Sequence, residues 1–143
     1  TFNKIRNTIG YTGQSGMELS RFCSLLNTSV VGGASKLFTH YLNNIHSDEW
    51  GKIISFSDRA HTRGNLYSKL GFIPVNSSNP GYVWVSMVDD SYYNRVSCQK
   101  RNLQRMFNDD SIDVDNQTER QIMESHGYAQ VFDSGTIRWE YIN

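Results

Sequence analysis

Leu66-Tyr67-Ser68-Lys69-Leu70-Gly71-Phe72 decides the reading of this chain. It reads as the end of a short helix over 65–70 that stops at Gly71 and hands over to a strand. Glycine suits the position after a helix because it takes a left-handed conformation at no steric cost. Earlier in the chain, Val30-Val31-Gly32-Gly33-Ala34-Ser35-Lys36-Leu37 reads as a glycine-rich turn that opens a helix. Backbone N–H groups and the positive end of a helix dipole at such a turn can receive a phosphate or pyrophosphate. Together the two stretches predict half of a cofactor-cleft fold.

Thr1–Arg6 and Met17–Leu26 form a predicted hairpin around Gly10, Gly13 and Gly16. Asn27-Thr28-Ser29 offers N-cap chemistry, and the helix running on to Ile45 places Leu37, Phe38, Tyr41, Leu42 and Ile45 on one face against a sheet. Lys52–Phe56 is short and β-rich, as a strand buried on both faces should be, and Asp58–Gly64 is a polar loop at its carboxyl end. Two neighbouring strands should part near Ser24–Val31 and Ser55–Asp58. Phe72–Val75 and Tyr82–Met87 are predicted strands around the turn-rich stretch 76–81. The order ββαβαββ implies an α/β domain with a mixed sheet covered by helices over residues 1–88. Residues 89–143 form a C-terminal extension packed on the same domain. Its predicted elements are a helix over Tyr92–Phe107 led by Asp89, Asp90 and Ser91, a solvated acidic link over Asn108–Asn116, a helix over Thr118–Ser125 closed by Gly127, and a hairpin of Tyr128–Asp133 with Thr136–Ile142.

A chain of 143 residues can bury one proper core, and 38% hydrophobic with 13% aromatic content is globular in character. Fourteen basic residues balance fourteen acidic ones, so no global field draws the chain to nucleic acid or membrane, and any DNA contact must be a local patch. No run of 18 apolar residues and no charged-then-apolar leader is present, so neither a membrane span nor a signal peptide is expected. Cys23 and Cys98 stand far apart without a Cys/His cluster, so a zinc site is not expected. They read as reduced thiols of an intracellular protein, Cys23 on a buried strand. The chain starts with Thr, and its first segment already looks like half of a hairpin, as a fragment of a longer protein would.

The two deciding stretches resemble the Gcn5-related N-acetyltransferase (GNAT) family. There a glycine-rich turn after the fourth strand grips the pyrophosphate of acetyl-CoA, and a later helix ends in Leu-Tyr-x-x-Leu-Gly-Phe, as Leu66 to Phe72 does. The family's phosphate signature is Arg or Gln, two residues, Gly, any residue, then Gly or Ala. Here it falls on Ser29, Gly32 and Ala34, with Ser29 in place of the Arg or Gln. An Asn and an Ala usually come before the Leu-Tyr, and those positions hold Ala60 and Arg63. The match covers residues 17–88, with the first strands and the two helices that wall the acceptor site missing. A wider stretch resembles the carboxy-terminal region of phage homing-endonuclease-like proteins: Met17–Cys23, Val30–Phe38, Ile54–Arg59, Gly64–Phe72, Pro80–Val85, Gly127-Tyr128 and Asp133–Gly135. In those proteins the nuclease carboxylates lie in a separate upstream domain. The resemblance implies a phage setting, in the cytoplasm of an infected cell, and DNA or an upstream nuclease domain as partner.

Each candidate site has a functional and a plainer reading. By the resemblance, Ser29, Val31, Gly32, Gly33, Ala34 and Ser35 would hold acetyl-CoA, the plainer reading being a tight strand-to-helix turn. Tyr67 holds the position that protonates the departing thiolate, or else is a core ring with its hydroxyl at the cleft edge. Asp58, Arg59 and His61 sit where ligands collect in open α/β sheets, with His61 near Asp58 as a base and Arg59 toward DNA, or else form a loop salt bridge. Arg95, Lys100, Arg101 and Arg105 make the one concentrated basic segment, on a helix whose apolar side is Val96, Leu103 and Phe107. They grip phosphates with Asn102 and Gln104 near base edges, or form a solvated face. Asp109, Asp110, Asp113 and Asp115 lack the glycine and terminal Glu of a calcium loop, and no metal is expected. His46, Asp48 and Glu49 make a polar turn with no assigned chemistry. Three readings compete: an accessory module that holds DNA or a nuclease domain, an active acyl-CoA N-acyltransferase, and, ranked below them, a relic structural domain with no ligand.

Overall fold

A computed structural model describes residues 1–5, 16–47 and 51–142. The predicted positions Arg6, Gly10, Gly13, Asp48 and Glu49 lie outside them. The protein is mixed α+β, with an open mixed sheet and few helices. It forms two compact units: unit 1 is Thr1–Asn79 with Gly135–Asn143, and unit 2 is Pro80–Ser134. The division falls at 79/80 and 134/135 rather than at 88/89.

Unit 1 is a five-stranded sheet in the order β1 (Phe2–Lys4), β2 (Gly16–Leu19), β3 (Lys52–Asp58), β8 (Thr136–Tyr141), β4 (Ile73–Ser77). β2 and β3 are parallel, and every other neighbouring pair is antiparallel. Parallel strands need a crossover, and α1 (Gly33–Asn44) lies on that connection. Ile53 and Ile54 point to opposite faces of β3 and are both buried, as expected of its central position. β2 ends at Leu19, earlier than predicted, and residues 21–32 form no strand. The strand expected to part from β3 over Ser24–Val31 is therefore absent, and the buried Ser55 hydroxyl donates to the Leu19 carbonyl at 2.7 Å where β2 ends. A side chain thus satisfies the acceptor at the end of β2.

The sheet packs α1 and α2 (Asn65–Lys69) through Leu19, Phe38, Tyr41, Ile53, Phe72 and Trp139. The predicted helix stop holds: Gly71 has φ +88°, and Phe72 N–H donates to the Tyr67 carbonyl at 3.0 Å. At the other end Gly64 has φ +77°, and a Cβ there would run into the Trp139 ring. The α1 face differs from expectation. Phe38 and Tyr41 are buried, while Leu37 and Ile45 stay exposed. Cys23 is exposed and lies outside any strand.

Unit 2 centres on β5 (Tyr82–Ser86), flanked antiparallel by β6 (Tyr92–Asn94) and β7 (Tyr128–Phe132). With α3 (Lys100–Phe107) and α4 (Glu119–Ser125) it encloses Trp84, Cys98, Leu103, Ile112, Ile122 and Met123. Three expectations change. The helix predicted over Tyr92–Phe107 is a strand, a turn and a shorter helix, because Tyr92–Asn94 pairs with Val83–Val85. The hairpin around Ser134-Gly135 does not form, since β7 pairs with β5 while β8 pairs with β3 and β4. The acidic link is folded, with Ile112 buried and its carbonyl accepting from Gln104 Nε2 at 3.0 Å. Its carboxylates close local turns. Asp109 accepts from Ser111 and Asp113 from Asn116, and these hydrogen bonds hold both acids below the ordinary 3.8. Thr118 caps α4 as expected, in a reciprocal box with Gln121. No helix among the described residues is long and apolar enough to cross a membrane.

Candidate functional site

The glycine turn opens α1 with Gly32 as N-cap. Gly33 N–H donates to Val30 O and Lys36 N–H to Gly32 O, both at 3.0 Å. Ser29, Val31, Gly32 and Ser35 are exposed, Gly33 and Ala34 half-buried. The first turn of the helix carries no acidic side chain, so the positive end of its dipole is uncompensated there. Of the six predicted cofactor residues, Ala34 lines an apolar groove of about 230 Å³ that follows α1.

Tyr67 is engaged in the core. Its hydroxyl donates to the Phe56 carbonyl at 3.1 Å, and its ring stacks on Trp139 with centroids 5.7 Å apart. Its phenolic proton is therefore directed at the β3 backbone, two residues before Asp58. At the end of β3, His61 Nε2 stands 3.8 Å from Asp58 Oδ2, with both side chains open to solvent. Asp58 Oδ1 also accepts from Ala60 N–H at 2.8 Å, and Arg59 N–H donates to Gly135 O at 3.0 Å. Asp58 thus meets His61, and an Asp58–Arg59 bridge is not among the ion pairs of the described residues. Exposure leaves the Asp58–His61 contact weak, because water screens it.

The basic segment of unit 2 divides. Arg95 precedes α3 and lies over the Tyr82 ring, 5.4 Å from its centroid. Lys100 is half-buried and its charge acts on Asp113. Arg101 and Arg105 are exposed on α3 and in no ion pair of the described residues. Arg105 borders an open groove of about 420 Å³ with Tyr93, Val96, Ser97, Asn102 and Met106. Asn102 Nδ2 donates to the Val96 and Ser97 carbonyls at 3.4 and 3.3 Å, which fixes that wall. Gln104 is spent on Ile112 and is not presented outward. Val96 is exposed, so it is not part of an apolar helix face.

Tyr82 and Trp84 converge on one carboxylate oxygen, Glu119 Oε1, at 2.8 and 2.9 Å. Burial first, then Glu119, raises the Tyr82 phenol above its ordinary value. This network closes the core of unit 2. Among the described residues no group of three or more His, Cys, Asp or Glu is placed to hold a metal ion.

Tyr93, Ser97 and Met106 escaped the sequence reading because Tyr92-Tyr93 reads as part of a helix when the three-residue strand is missed. A second property emerges with the unit boundaries. Unit 1 holds nine Lys and Arg against five Asp and Glu, and unit 2 holds five against nine. The zero charge of the chain is thus +4 set against −4. No protein-family model matches this chain, and no curated protein matches it.

Proposed function

We propose that the chain is an accessory domain of a phage-type DNA-processing protein, with unit 1 a GNAT-like half-fold and unit 2 the part that touches DNA. A parallel strand pair joined through a glycine-opened helix, followed by the Leu66–Phe72 stop, supports the fold reading. The DNA reading is carried by one observation: a groove in unit 2 where Arg105, in no ion pair of the described residues, stands with the exposed aromatic Tyr93, one α3 turn from Arg101. Guanidinium groups meet phosphates, and an aromatic face accepts an unstacked base, worth about 1–3 kcal/mol per base. Unit 2 is net acidic, so the contact depends on this patch alone and weakens steeply with salt.

Mobility shifts with single-stranded and duplex oligonucleotides at low salt test this. Arg101→Glu with Arg105→Glu is expected to weaken both complexes irrespective of sequence, and to lower the salt slope by about one per lost phosphate contact. Tyr93→Ala is expected to weaken the single-stranded complex more. Shifts that ignore the double reversal would remove the DNA reading from this groove. The competing acyltransferase reading is favoured by the uncompensated amino end of α1, although Tyr67 is engaged with Phe56. Calorimetric heat with acetyl-CoA, abolished by Gly33→Asp, would put that reading in its place.

A further inference from the structure

Unit 1 leaves one flank of α1 open. Ala34, Leu37, Phe38, Tyr41 and Ile45 follow one another at helical spacing along the apolar groove, so it runs about 16 Å at 1.5 Å per residue. Phe2, Leu19, Phe22 and Leu70 add to its apolar lining, and Thr1, Arg21 and His40 add polar positions. Leu37 and Ile45 are 61% and 54% exposed, and the neighbouring Leu25, Leu26, Val30 and Val31 are more open still. Large apolar side chains gathered in this way mark an interaction surface rather than ordinary scatter.

Charge narrows the partner. From Ser20 to Ser47 the chain carries Arg21 and Lys36 and no Asp or Glu. The amino end of α1 adds its uncompensated dipole. The nucleic-acid backbone is anionic but offers nothing apolar to fill such a groove. The geometry points to this groove as the seat of an amphipathic helix from a partner protein, with apolar residues at i, i+4 and i+7 and Asp or Glu on its flanks. The groove length matches about three turns of such a helix, and Arg21 in its lining favours acidic over basic helices.

The probe is a fluorescently labelled 18-residue helix-forming peptide with a Leu and Phe face and Glu on its flanks, titrated into the full chain by anisotropy. Saturable binding is expected, weakened at least about tenfold by Leu37→Asp and less by Arg21→Glu. Both residues are exposed, so circular dichroism should be unchanged, and the milder Leu37→Ala is expected to fall between. Arg101→Glu with Arg105→Glu is expected to leave peptide binding intact, which separates this site from the DNA groove. The proposal is overturned if the acidic peptide does not bind, if a Lys-flanked version binds equally well, or if Leu37→Asp changes nothing. Binding to phosphatidylglycerol vesicles without the peptide, or Leu37-dependent self-association without it, would assign the groove to a membrane or to a second copy.

Discussion

Trp139 anchors unit 1 and Trp84 anchors unit 2, and they are satisfied differently. The Trp139 indole donates to the neutral Ser57 hydroxyl at 2.8 Å, inside a cluster of rings from Tyr67, Phe72 and Tyr141. The Trp84 indole donates to Glu119, which also takes the Tyr82 hydroxyl. One core is held by ring packing around a neutral polar group, while the other is pinned to a carboxylate in the first turn of α4, where the helix dipole also favours it. The surfaces diverge in the opposite sense, with unit 1 net basic and apolar along α1 and unit 2 net acidic with a local basic groove. Docking and DNA contact can therefore be carried by separate surfaces of one chain.

The largest effect is expected from Trp84→Ala, which empties the centre of unit 2 and strips Glu119 of one donor. Such truncations cost about 3–5 kcal/mol. If the two cores are separate foldons, hydrogen exchange should lose protection in β5, β7 and α4 more than in β3 and β8. Equal losses throughout would show one cooperative unit and break the comparison. Gly64→Ala is the counterpart in unit 1. It forces an L side chain into a left-handed backbone and drives a methyl against Trp139, and a loss of about 2–3 kcal/mol in denaturant unfolding is expected. A neutral outcome would mean that α2 and Trp139 shift freely, contrary to the packing around Tyr67.

Local signals were legible in the sequence, and pairings were not. The Leu66–Phe72 helix and its stop, and the Thr118 cap, are written in neighbouring residues, and the structure has both. Asp89-Asp90-Ser91 also looks like a helix start, yet a three-residue strand follows because Tyr92–Asn94 finds Val83–Val85. Ser134-Gly135 looks like a hairpin turn, but the strands on either side have partners far away in the chain. The return of β8 to unit 1 is a long-range pairing that no local signal marks, and the opposite charges of the two units depend on it. The basic helix was visible as charge. Its groove was not, since it depends on Tyr93 and Val96 leaving the helix.

The smallest perturbation compares the two thiols. Cys23 of unit 1 is exposed, while Cys98 of unit 2 is fully buried, and burial, followed by the Glu119 charge, pushes its thiol up to about 11. The exposed Cys23 is within reach of an aromatic disulfide reagent and the buried Cys98 is not, so at pH 8 the first is expected to react at once and the second only on unfolding. The sign of the pH effect follows from the raised value. Folding favours the protonated thiol, so its contribution is complete below the ordinary 9.0 and is lost as pH rises through about 11. Burial also raises Tyr82 and Tyr128 in the same unit above 10.0, and their loss acts in the same direction. Alkaline titration should therefore loosen unit 2 and release the Cys98 thiol, and Cys98→Ala should reduce that alkaline loss without abolishing it. Simultaneous reaction of both thiols in the native protein at pH 8 would contradict the burial of Cys98 and the closed core built around Trp84.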